Sequence, residues 1–126
     1  MTALICGGWP PIHGPYRGML RTIKAAQAGE GPSVLNPLAP PVLQQFATFY
    51  EGLRGFDDLA AQEWIACPRL CFAGSADNIY DLGIGRTVVD QRENLEQAGW
   101  DVRIVDGLDH GDVSLPTTAS SGAIRD

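Results

Sequence analysis

The sequence predicts an α/β fold of three short, mostly parallel strands, with a helical insertion after the first. Three observations predict it. Apolar runs at Ala3 to Cys6, Arg69 to Ala73 and Val102 to Val105 each close on a glycine turn. Helical periodicity fills the long gap between the first two runs. A further helical stretch separates the second run from the third, so these two strands can lie parallel with their carboxyl ends at one sheet edge.

The elements follow in order. Leu4-Ile5-Cys6 before Gly7-Gly8 reads as a buried strand. In the segment Gly14 to Gly31, Tyr16, Met19, Leu20 and Ile23 fall on one helical face, and Gly29-Glu30-Gly31-Pro32 ends it. Pro40-Pro41 suits the first turn of a second helix, because proline is tolerated where the N–H has no partner. Val42, Leu43, Phe46, Phe49, Tyr50 and Leu53 repeat along that helix. Phe56-Asp57-Asp58-Leu59 is the cap of a short helix reaching Glu63. Leu70-Cys71-Phe72-Ala73 is the clearest strand. Thr87 to Ala98 reads as one helix, with Val88, Arg92 and Leu95 along one side and Gly99 where a C-terminal capping glycine belongs. Val-Arg-Ile-Val at 102–105 is the third strand, turned out by Asp106-Gly107. Residues 116–126 read as the start of a final helix.

Composition narrows the function classes. The chain has 126 residues, 44% of them hydrophobic, which suits one globular domain. A net charge of −6 argues against nucleic acid or an anionic membrane as partner. No apolar run approaches the roughly 18 residues that span a bilayer. The apolar opening is short, has no basic flank and breaks at Gly7-Gly8-Trp9-Pro10, unlike a signal peptide. Three cysteines, an odd count, suit a reducing compartment, so a cytoplasmic location is expected.

Two loops carry the chemistry. Ala73-Gly74-Ser75-Ala76-Asp77 follows the second strand, and Asp106-Gly107-Leu108-Asp109-His110-Gly111 follows the third. Each delivers an ionisable side chain to the sheet edge where α/β proteins place their ligands. A histidine can take a proton from a nucleophile and return it to a leaving group. A carboxylate on its other ring nitrogen sets the tautomer and stabilises the imidazolium. His110 is therefore the candidate general base and acid, and Asp77 its orienting partner. Asp109 and Asp112 are nearer in sequence, but adjacent loop residues point in different directions.

This order of elements, with Asp77 and His110 in those loops, resembles the C-terminal half of the α/β-hydrolase fold, over nearly the whole chain. The resemblance implies that the strands are the sixth, seventh and eighth of the family's eight, and that residues 14–64 form its helical cap. The family order is nucleophile, acid, histidine, and Asp77 before His110 agrees with it. The family's nucleophile sits in a Gly-x-Ser-x-Gly elbow upstream of these strands, or is an aspartate in some members. No such elbow occurs among the 126 residues. Ser75, in Gly74-Ser75-Ala76-Asp77, lacks the elbow's flanking pattern and reads as a turn residue bonding its own backbone. The family's oxyanion-hole donors also come from earlier segments. The chain is therefore expected to be an N-terminally truncated piece, contributing acid and histidine to a serine-type hydrolase of a small ester, amide or related substrate, and inactive alone.

Trp9, Tyr16, Phe46, Phe49 and Tyr50 are candidates to shape an apolar substrate pocket under the cap, although helical spacing favours cap-to-core packing for most of them. His13, in Ile12-His13-Gly14-Pro15, reads as a loop histidine. No cofactor or metal is expected: Cys67 and Cys71 lack a second ligand cluster, and Gly83-Ile84-Gly85 lacks the third glycine of a dinucleotide loop. The alternative is a non-catalytic α/β module that binds a second copy or another chain through the exposed edge of its first strand.

Overall fold

A computed structural model describes residues 3–111 of the chain. The described residues form two compact units, one comprising Pro15–Phe56 and the other the segments on either side of it. The predicted tail helix at 116–126 lies outside the described residues.

The sheet unit is a mixed α/β structure. Its strands are β1 (Leu4–Gly7), β2 (Arg69–Gly74) and β3 (Trp100–Val105), all parallel, with β2 in the centre. Cys6 lies opposite Cys71, and Cys71 opposite Val102. Side chains alternate along a strand, so Cys71 and Ala73 of β2 share a face with Trp100 and Val102 of β3, and all four are buried. Helices α4 (Ile84–Asp90) and α5 (Arg92–Gln97) supply Val88 and Leu95 to the same core. The apolar alternation and the i, i+7 spacing of those two residues are what the sequence pattern anticipated.

Three elements differ from expectation. The first strand is not buried: Leu4 is 39% and Ile5 63% exposed, on a strand that pairs among the described residues with β2 alone. The helix expected over Thr87 to Ala98 starts earlier, at Ile84, and is broken at Gln91 (φ −95°, ψ 5°). It starts early because Gly83 (φ +64°) turns the chain directly into it. The glycines at 83 and 85 are thus the turn into a helix. Thirdly, helix α3 (Asp58–Ala61) and the turn Gln62–Trp64 cluster with the sheet, although the sequence pattern places them in the 14–64 insertion.

Hydrogen bonds explain that third difference. The Asp57 side chain caps α3 by accepting from the Ala60 N–H at 3.0 Å, as predicted. The Asp58 carboxylate accepts from the backbone N–H groups of His13 (3.0 Å) and Gly14 (2.8 Å) in the loop after β1. The Gln62 amide donates to Pro11 O and accepts the indole N–H of Trp100 at 2.7 Å. Arg69 likewise spreads its guanidinium over three carbonyls, those of Ile65, Cys67 and Ala98, the last at the end of α5. The bonds of Asp58 and Gln62, and that of Arg69 to Ala98, cross long stretches of chain and leave no mark in local periodicity.

The second unit is a pair of helices, α1 (Tyr16–Gln27) and α2 (Pro40–Gly52). Leu20 and Ile23 of α1 and Leu43 and Ala47 of α2 are buried. Gln27 bonds Gln44 at 3.1 Å and Lys24 pairs with Glu51 at 3.4 Å, so the helices run antiparallel. Pro40 and Pro41 occupy the first turn of α2, as proline's missing donor dictates. The aromatic stripe of α2 does not all turn inward: Phe46 is 41% and Phe49 59% exposed.

Candidate active site

The three parallel strands bring their carboxyl ends to one edge, and two loops there build the site. Strand β2 ends at Gly74, and a tight turn follows in which the Asp77 N–H donates to Gly74 O at 3.1 Å. The Asp77 carbonyl accepts from the Gly85 N–H at 2.7 Å, so the acid is held against the start of α4. Neither glycine has room for a Cβ: at Gly74 it would overlap the carbonyl of Leu108, and at Gly85 the carbonyl of Gly74. The fit of the histidine loop onto Gly74, and of α4 onto the acid loop, therefore depends on bare backbone at both positions.

This packing places the Asp77 carboxylate against the His110 ring. Asp77 is 1% exposed, and its Oδ2 lies 2.8 Å from Nδ1 of His110. A carboxylate only accepts, so the pairing puts the proton on Nδ1 of the imidazole. The other oxygen, Oδ1, accepts from the Ile79 N–H at 3.3 Å. The histidine side chain keeps 31% of its surface exposed, and its Nε2 is the ring nitrogen left for a reacting group. A buried acceptor behind a half-exposed imidazole is the arrangement that proton transfer needs.

The sequence-predicted residues divide between the two units. Asp77 and His110 meet. Trp9 stands in the loop leaving β1, where its carbonyl accepts from the Cys6 thiol at 3.2 Å. Tyr16, Phe46 and Tyr50 belong to the helical unit. There Tyr16 packs edge-on to Phe56, with centroids 5.7 Å apart, and Tyr50 edge-on to Phe49 at 5.1 Å. A groove of about 390 Å³ on this unit is lined by Lys24, Gln27, Gln44, Ala47, Thr48, Glu51 and Gly52, and by none of the predicted aromatics. His13 is an exposed loop residue at φ +59°.

The Cys6 and Cys71 thiols are poor nucleophiles. Burial pushes the Cys71 thiol up to about 12, with the neighbouring Cys6 adding to the effect, and burial also raises Cys6. Nucleophilic attack needs the thiolate, which such surroundings disfavour. All three cysteines are free, and among the described residues no group of three His, Cys, Asp or Glu side chains is placed to hold a metal ion. No helix among them is long and apolar enough to cross a membrane.

Comparison with family models, with curated proteins and with solved structures finds no match.

Two supporting side chains are not foreseen from the sequence. Ser75 does not bond its own backbone. Its hydroxyl reaches across to the histidine loop, donating to Asp106 Oδ1 (3.1 Å) and accepting from the Gly107 N–H (2.7 Å). Asn78 accepts from the Gly83 N–H at 2.7 Å and donates to Asp81 Oδ1 at 3.1 Å. That brace spans Tyr80 and Asp81, which hold φ values of +52° and +60° that non-glycine residues seldom adopt. The signal for it in the chain is an Asn directly after the acid and five residues before a glycine, because Asn side chains readily mimic backbone in turns.

Proposed function

We propose that this chain supplies the acid and the histidine of a serine-type α/β-hydrolase acting on a small ester, amide or related substrate. The observation that carries the reading is the hydrogen bond between Asp77 Oδ2 and His110 Nδ1, made by a buried acid at the carboxyl edge of three parallel strands. Two further facts support it. The acid precedes the histidine in the chain, as in the family order. The two loops follow neighbouring parallel strands, as the resemblance requires.

In this reading Asp77 holds the imidazole with its proton on Nδ1. His110 Nε2 takes the proton of the attacking hydroxyl, and Asp77 stabilises the imidazolium that results. His110 then returns the proton to the leaving group. The nucleophile and the oxyanion donors come from outside these 126 residues, in a longer form of the chain or in a partner.

The test is to treat cells expressing the native protein with a fluorophosphonate probe and capture the product with an antibody to this chain. Label is expected on the captured chain or on a species bound to it, and the label disappears in His110→Ala. Captured material without label overturns the reading. The isolated chain is expected not to turn over an activated ester. Turnover that vanishes in His110→Ala would move the nucleophile into the chain itself.

A binding module is the second reading, favoured by the exposed apolar edge at Leu4 and Ile5. Unlabelled native protein that sediments as a clean monomer and melts in one sharp transition would support a self-sufficient module.

A further inference from the structure

We propose that Ser75 is a positioning residue, whose hydroxyl clamps the His110 loop onto the Asp77 loop and so maintains the Asp77–His110 hydrogen bond. The proposal rests on reading those two residues as an acid–histidine pair.

Chain geometry carries it. The β2–β3 ladder ends at Gly74 opposite Val105. Beyond it, two loops must be kept together long enough for residue 77 to meet residue 110. Two backbone bonds hold them at first. The Ser75 N–H donates to Val105 O at 2.9 Å, and the Ala76 N–H to Leu108 O at 3.0 Å. Between these points the histidine loop turns at Asp106-Gly107, where Gly107 takes φ +78°. The ladder supplies no acceptor for the Gly107 N–H there, and the Ser75 hydroxyl fills that place at 2.7 Å while donating to Asp106 at 3.1 Å. Both partners lie more than thirty residues away in sequence, so this is a tie between loops and not a local turn bond. A hydroxyl is suited to it because it donates and accepts at once. The tie sits two residues before Asp77 and three before His110. Its loss frees the histidine loop close to the ring that has to meet the carboxylate.

The test uses the full chain and needs no activity. Ring nitrogen shifts of His110 and solvent exchange of its Nδ1–H are recorded by NMR in the wild type, Asp77→Asn, Ser75→Ala and Ser75→Thr. Strand amide resonances of β2 and β3 report whether each variant is folded. The wild type is expected to show a protonated Nδ1 with a slowly exchanging proton, lost in Asp77→Asn. Ser75→Ala is expected to speed that exchange by about tenfold, the ratio a typical hydrogen bond is worth, and Ser75→Thr to restore it. A folded Ser75→Ala with the wild-type ring spectrum overturns the clamp while leaving the acid–histidine pair intact. A folded Asp77→Asn with an unchanged ring spectrum overturns the pair itself, and the clamp with it. If Ser75→Ala does not fold, Asp106→Ala at an exposed position decides: faster Nδ1–H exchange supports the clamp, and unchanged exchange overturns it.

Discussion

Replacing Gly74 by alanine should damage both the stability of the sheet unit and the geometry of its site. The added Cβ would overlap the carbonyl of Leu108, which is backbone and cannot rotate away. That same carbonyl accepts from the Ala76 N–H at 3.0 Å, so moving it aside breaks a bond between the two loops. Overpacking of this kind and the lost bond together cost about 3 kcal/mol. In a unit of this size that corresponds to a fall of roughly 15 °C in Tm. Trp9, Trp64 and Trp100 all lie in the sheet unit, so urea denaturation followed by tryptophan fluorescence reports on the right region. The matched control is Gly52→Ala at the end of α2, where a Cβ meets nothing within 4 Å. There the substitution should stabilise by about 0.5 kcal/mol, read by far-UV circular dichroism, because alanine loses less backbone freedom on folding. A Gly74→Ala protein as stable as the wild type would refute the reasoning, since it would show that the loops have room to separate.

Other outcomes follow from the same contacts. Cys71 keeps its proton up to about pH 12 in the fold, against 9.0 for an ordinary thiol. Below pH 9 both states are protonated and its contribution is fully present. Between 9 and 12 only the unfolded thiol ionises, so stability should fall with rising pH by up to about 1.4 kcal/mol per unit. Urea titrations in reductant should show that slope shrink in Cys71→Val, and an unchanged slope would place the alkaline loss elsewhere. On the proposed function, Asp77→Asn should retain the fold yet lower kcat by about four orders of magnitude, because an amide does not hold the imidazole in the required tautomer. Steady-state kinetics on an ester substrate would measure it, and near-normal turnover would remove Asp77 from the mechanism. Trp100→Phe strands the Gln62 side-chain oxygen that accepts its indole N–H at 2.7 Å. A loss of about 1–3 kcal/mol in chemical denaturation is expected, and a smaller one would mean that Gln62 finds another donor.

Much of the architecture was legible along the chain because periodicity is a local property. The apolar runs, the proline pair opening α2, the Asp57 cap and Gly99 after α5 each state a backbone preference within a few residues. Asp77 and His110 were legible for a related reason: each stands at a short distance past a strand end, and a parallel pair of strands brings such positions to one edge. What periodicity could not report was which strand would lie at the edge. LICG reads like a core strand, yet Ile5 stands in the open on a strand that pairs among the described residues with β2 alone. Nor could it report that Phe46 and Phe49 would stand outward on a helix whose inner face is Leu43 and Ala47.

The sequence alone determined the succession of strands and helices and the residue types offered at the sheet edge, because those depend on side chains within a turn or two of one another. Only the tertiary structure decided the partners. Asp77 meets His110, Ser75 bonds the neighbouring loop in place of its own turn, and Asp58 and Gln62 draw their segment onto the sheet unit. Each of these bonds joins groups more than thirty residues apart. At the site the pairing is settled by the register of parallel strands and the close approach of backbones at Gly74 and Gly85. No local propensity encodes such a register, so the site emerges only when the strands are laid side by side.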